Sequence, residues 1–237
     1  DSKGNIWICT ETALNLFVPA EKNVDKKAGF EKFTYSGSSA PITWVFENSK
    51  RQLLLFSEWL YYFDPMKKEI TNSGIRLGGN YIRSVIEDDQ ASIYIGTTYD
   101  GIIKLAYNEV TGKYLKVDPG KINVTPENRN CLLRDHNNHI WIGTEIQGLY
   151  RYKPETDTLE HFEPDELDNN TISDNTVFSL FEDNTGVLWI GTFSYGLNKV
   201  DFYRKEFIHF RKIPYKKNTL SGDVISSIHG LNPDELW

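Results

Sequence analysis

Three observations predict an all-β fold for this chain. A sequence unit recurs about every 47 residues, each copy opens on a tight polar turn, and each turn is flanked by short apolar or alternating runs. The unit is clearest from Asp183 to Thr192, which reads Asp-Asn-Thr-Gly-Val-Leu-Trp-Ile-Gly-Thr and is followed by Gly196-Leu197. It returns at Asp135 to Thr144 with Gly148-Leu149, at Asp88 to Thr97 with Gly101-Ile102, and at Asp1 to Thr10. A degenerate copy runs from Gln52 to Ser57, and Glu235-Leu236-Trp237 begins another. With the Trp slot as marker, the copies centre on Trp7, Leu54, Tyr94, Trp141 and Trp189, with a partial copy at Trp237. The successive spacings are 47, 40, 47, 48 and 48.

Each unit reads as four short strands. The first is an apolar run ending in a polar residue: Ile42 to Glu47, Ile82 to Asp88, Arg129 to Asp135, Val177 to Asp183, Val224 to His229. Its length and apolarity suit a strand buried on both faces. Asp-x-x-Gly then makes a hairpin turn, because Asp bonds its own backbone and Gly supplies a positive φ. Asn138, Ala91 and Arg51 take the Gly slot in three copies; Asn tolerates that conformation, Ala and Arg resist it. The second strand, Leu-Trp-Ile-Gly-Thr, alternates its faces. Its Trp is expected to pack between neighbouring units, since an indole buries a large area at a site every unit must fill. A short loop leads through Gly to a third strand such as Leu149 to Tyr152. The fourth carries spaced aromatics: Phe30, Phe33 and Tyr35, then Tyr114, Phe162, and Phe207 with Phe210. Four antiparallel strands per repeat make a propeller blade, so residues 1–237 are read as one β-propeller segment of about five blades. The chain starts and stops inside a repeat and reads as a piece of a longer protein and of a larger propeller.

Composition narrows function. The net charge is −7 and no basic patch is visible, which argues against nucleic-acid contact by this segment. No apolar run is long enough to span a bilayer, so membrane attachment is expected only through the parent protein. Cys9 and Cys131 read as unpaired thiols rather than a disulfide. His136-x-x-His139 lies in a two-strand hairpin with no third ligand in view, so no metal is expected, and no cofactor motif occurs. No nucleophile motif such as Gly-x-Ser-x-Gly is present, and the segment is not expected to be an enzyme.

The blade text around Glu182 to Asn198, with Asn170 to Val177 and Asn218 to Ser221, resembles the repeats of two-component regulator propellers. Those form the periplasmic sensor region of Bacteroidetes hybrid two-component systems. The resemblance implies seven-bladed propellers, a membrane helix and a histidine kinase in the parent protein. It also implies oligosaccharide sensing and control of polysaccharide-utilisation genes. The alternatives are a protein-interaction propeller without a small ligand, or a propeller-type polysaccharide lyase or glycosidase.

Blade geometry sorts the binding candidates. Loops joining strands two and three share a face with loops joining one blade to the next, opposite the Asp-x-x-Gly turns. The first set offers Trp59, Tyr99, Glu145, Gln147 and Tyr195; the second offers Tyr81, Asp174, Asn175 and Asp223. Arg83 and Arg129 interrupt apolar innermost strands, where a charge needs a carboxylate or a solvated channel. Aromatics stack on sugar C–H faces while planar polar groups bond hydroxyls. The expected ligand site is therefore Trp59, Tyr81, Arg83, Tyr99, Arg129, Glu145, Gln147 and Tyr195. The expected partners are an oligosaccharide and a neighbouring propeller or second protomer.

Overall fold

The computed structural model describes residues 1–20, 27–35, 41–78, 82–122, 124, 131–165, 167–168, 170–201, 206–232 and 235–236. Its elements are short antiparallel strands with one 3-10 turn at Gly120–Ile122. The first sheet is β1 (Trp7–Thr10), β2 (Ala13–Val18) and β3 (Gly29–Thr34). Four four-stranded sheets follow: β4 (Trp44–Glu47) to β7 (Glu69–Arg76), β8 (Ile82–Glu87) to β11 (Lys113–Val117), β12 (Cys131–Arg134) to β15 (Thr158–Phe162), and β16 (Val177–Glu182) to β19 (Glu206–Phe210). In each, strands pair in chain order, as in a propeller blade. The fold is all-β, as the repeat requires.

The chain divides into two compact units. One comprises Asp1–Ile82, Gln90–Ile93 and Leu105–Val117; the other comprises Arg83–Asp89, Tyr94–Lys104 and Asp118–Trp237. In the first, Leu14, Phe33, Ile42, Leu55, Tyr61 and Phe63 form the core. In the second, Trp141 and Leu149 of the fourth blade pack with Val177, Leu188 and Ile190 of the fifth. Face-to-face contact between consecutive blades thus supplies the apolar burial that a single four-stranded sheet lacks.

The turns form as the repeat dictates, including where Gly is missing. Arg51, Ala91 and Asn138 adopt φ of 63°, 61° and 61°, beside 78° for Gly4 and 80° for Gly186. The three-residue loop is a turn closed by a left-handed residue. In the fifth blade the Gly186 N–H donates to Asp183 O (2.9 Å) and the Asp183 N–H to Val187 O (3.0 Å). Resistance of Ala and Arg to this conformation is overridden by the strand pairing on both sides. Arg51→Gly is expected to raise stability by about 1 kcal/mol by relieving that strain; an unchanged thermal midpoint would show the turn to be unstrained.

One expected strand does not form. Val224 to His229 pairs with no strand; the ladder begins only at β20 (Gly230–Asn232) with β21 (Glu235–Leu236). The preceding segment docks on the fifth blade as Val177 docks on the fourth: the Ile225 N–H donates to Thr192 O (2.9 Å), and Ser179 Oγ to Ile225 O (3.2 Å). Both cysteines are free, and burial pushes their thiols up, to about 11 for Cys9 and about 12 for Cys131.

Candidate ligand-binding loop face

The Thr and Gly that close each second strand build the loops of this face. Thr144 donates both its N–H (3.0 Å) and its Oγ1 hydroxyl (2.9 Å) to Gly148 O, while Thr144 Oγ1 itself accepts the Gln147 N–H (2.9 Å). Thr192 repeats this with Gly196 O and the Tyr195 N–H, and Thr97 with Gly101 O and the Asp100 N–H. The closing Gly is obligatory. Gly148 and Gly196 have φ of 71° and 77°, and a Cβ there would strike the carbonyl oxygens of Phe162 and Phe210. Each pair therefore closes a three-residue loop: Thr98 to Asp100, Glu145 to Gln147, Phe193 to Tyr195.

The interblade loop at Asp174 to Thr176 is laced between two such loops. Asn175 O accepts the Gly148 N–H (2.8 Å), and Thr176 Oγ1 donates to Glu145 O (2.6 Å). On the other side Asp174 Oδ2 accepts the Ser194 N–H (2.9 Å), and Thr176 O the Phe193 N–H (3.1 Å). The two loop sets share a face, as the blade geometry requires.

Tyr195 is 54% exposed and stands between two depressions. One, of about 400 Å³, includes Asp165, Asp168, Asp174, Asn175 and His209; the other, of about 320 Å³, includes Arg211, Lys212 and Asp223. Tyr99, 63% exposed, rises from the third-blade loop. Arg83 is exposed on β8, and its Nε donates to Thr98 Oγ1 (2.9 Å) in that same loop. Among the described residues a hydroxyl thus takes the place of the expected carboxylate. Glu145 and Gln147 are half-buried; the Gln147 carbonyl meets His161 Nε2 (2.6 Å). Trp59 belongs to the other unit, half-buried against that unit's core. Tyr81 and Arg129 lie outside the described residues.

A feature unseen in the sequence organises the opposite face. The Asp that opens each turn also accepts from the aromatic six residues on. Trp7, Trp141 and Trp189 donate Nε1–H to Asp1, Asp135 and Asp183 at 2.8, 2.9 and 2.8 Å, and the Tyr94 hydroxyl to Asp88 at 3.1 Å. Where Leu54 lacks a donor, Asn48 replaces Asp and donates Nδ2–H to the Tyr114 hydroxyl (3.0 Å). Burial opposes ionisation of Asp183, yet hydrogen bonds from Thr185 and Trp189 hold its carboxyl below the ordinary value. His136 and His139 are each engaged by a carboxylate, Glu182 and Asp135 respectively. No group of metal-ligating side chains exists among the described residues.

The architecture and loop geometry define the chain as a segment of a β-propeller. Residues 123–145 and 171–194 match the model of the two component regulator propeller repeat. Among solved structures it is similar to the extracellular domain of BT4673 from B. thetaiotaomicron, described as a putative one component and as a putative hybrid two component system. Identity is 22% in both, with TM-scores of 0.61 and 0.54, covering 100% and 97% of this chain and 36% and 34% of theirs. The chain thus spans about a third of the length of these relatives. It is also similar in fold to virginiamycin B lyase from Staphylococcus aureus, at 14% identity and a TM-score of 0.68, covering 100% of this chain and 74% of that one. No curated protein matches the sequence. No helix among the described residues is long and apolar enough to cross a membrane.

Proposed function

We propose that this propeller segment is the ligand-sensing part of a periplasmic hybrid two-component sensor. Its ligand is an oligosaccharide, and its output is expression of polysaccharide-utilisation genes. The observation that carries the reading is Tyr195: a half-exposed ring held out by the Thr192–Gly196 loop, with acids, an amide and an imidazole on one side and cations on the other. A flat ring among fixed polar groups suits a pyranose, whose C–H face stacks while its hydroxyls find donors and acceptors. Tyr99, Arg83, Glu145 and Gln147 extend the same loop set, as Arg129 does by repeat position, while Trp59 and Tyr81 hold the equivalent repeat positions of the other unit. The repeat family and the extracellular relatives support a sensory, non-catalytic, periplasmic segment. Signalling follows if ligand binds one arrangement of this segment with a neighbouring propeller or second protomer better than another, since only differential affinity shifts an equilibrium.

Titration calorimetry with a panel of plant and host oligosaccharides tests this. A saturable ligand is expected, with affinity at least tenfold weaker in Tyr195→Ala. Binding by no oligosaccharide, or binding indifferent to Tyr195, would sink the loop-face reading. Shortening of a polysaccharide by the purified chain would overturn the non-catalytic one.

A further inference from the structure

The turn face differs between the two units. In each, a Glu of one blade's first strand brackets the preceding blade's turn. Ser2 N–H and Oγ donate to Glu47 (2.5 and 2.8 Å), and His136 N–H and Nδ1 meet Glu182 (2.8 and 2.5 Å). Beside the first bracket lies a cavity of only about 70 Å³, lined in part by Trp7, Arg51, Leu53 and Phe63. Beside the second, the corresponding cleft measures about 510 Å³.

Strand register gives the cause. Leu53 pairs with Phe63 as Leu188 pairs with Val200, so Val200 stands in the Phe63 slot. Gly186 likewise stands in the left-handed turn slot held by Arg51. Phe63 fills its seam, with its ring 5.2 Å from Trp7. Val200 and Gly186 leave the equivalent space open, over an apolar floor completed by Phe162 and Phe207. Arg151, whose guanidinium carbon lies 5.8 Å from the Phe162 ring centre, pairs with Glu160, as does Lys153, so the cations there already face an anion. His139 is different. Its Nδ1 must donate to Asp135 Oδ2 (3.0 Å), because a carboxylate accepts only. In the neutral ring Nε2 is then an acceptor, and no hydrogen bond to it is found among the described residues.

We propose that this interblade cleft is a second binding site, for a planar aromatic molecule of one to three rings that carries a hydroxyl. The ring lies on Val200 and Phe207, beside Phe162 and the guanidinium stacked on it, and the hydroxyl donates to His139 Nε2. The volume suits such a ligand, and an apolar floor rimmed by placed polar groups is the usual composition of a small-molecule site. The site is independent of the loop face.

The probe is 2-naphthol, followed by its fluorescence on titration into the purified chain. Saturable binding is expected. Val200→Phe, which installs the side chain the first unit already uses, should weaken it at least tenfold. Blocking the hydroxyl, as in 2-methoxynaphthalene, should weaken it equally. Gly186→Arg is the second plug should Val200→Phe fail to fold. No saturable binding, binding unaffected by either plug, or equal binding of the methoxy compound would each overturn the proposal.

Discussion

Asp135→Ala is expected to cost about 3 kcal/mol of stability, read as a lower urea midpoint at unchanged slope. Four hydrogen bonds converge on this carboxylate. Oδ1 accepts the backbone N–H groups of Asn137 (3.0 Å) and His139 (2.8 Å), while Oδ2 accepts His139 Nδ1 (3.0 Å) and Trp141 Nε1 (2.9 Å). The backbone groups sit near solvent and can turn to water. The indole cannot: Trp141 is fully buried, so its N–H would be stranded. A double-mutant cycle isolates that part. In a Trp141→Leu background, which copies the second blade's Leu54, the cost of Asp135→Ala should fall by about 1 kcal/mol or more. Equal cost in both backgrounds would show that the carboxylate serves only the turn.

Gly143→Ala should destabilise by about 2 kcal/mol, through overpacking rather than backbone strain. An added methyl would clash with Cys131 Sγ on the paired strand and lie 2.5 Å from Val177 Cγ1 on the next blade. That close approach sets the spacing between consecutive sheets. Gly191 holds the same slot one blade later, where the methyl would meet Ser179 and Ile225. Combining Gly143→Ala with Val177→Ala should recover part of the loss, since the second change empties the space the first invades. No recovery, measured by the same unfolding experiment, would place the strain within the fourth blade alone.

The blade was legible because its signals are local. Asp-x-x-Gly names a turn, and the turn persists at Ala91 and Arg51 because the alternating strands on either side hold it in register. Val224 to His229 pairs with no strand among the described residues, although Ile225 bonds Thr192 of the fifth blade just as Val177 of β16 bonds Thr144 of the fourth. At the loop face, Tyr195 beside Asp174 and Asn175 followed from the alternation of loops in a four-stranded sheet. The partner of Arg83 did not, because Thr98 lies across a hairpin and carries no charge to mark it. The cleft beneath Glu182 was invisible for a related reason. Val200 is an unremarkable strand residue, and its smallness has meaning only beside Phe63. His136 and His139, read in the sequence as a pair with no third ligand, each face a carboxylate whose place the sequence did not mark.

The Glu47 and Glu182 brackets bear on how such a chain grows. Four blades hold their turns with the Asp-to-aromatic bond, and the second and fifth reach back to their predecessors with one outgoing Glu. A duplicated blade would arrive with both parts, needing no remodelling of its hosts. Length can therefore change by whole blades, and copies can drift apart one at a time. The Leu54 blade has done so, exchanging its indole for an Asn48–Tyr114 bond while its neighbours kept theirs. The same independence lets one seam be sealed and another opened within a single chain.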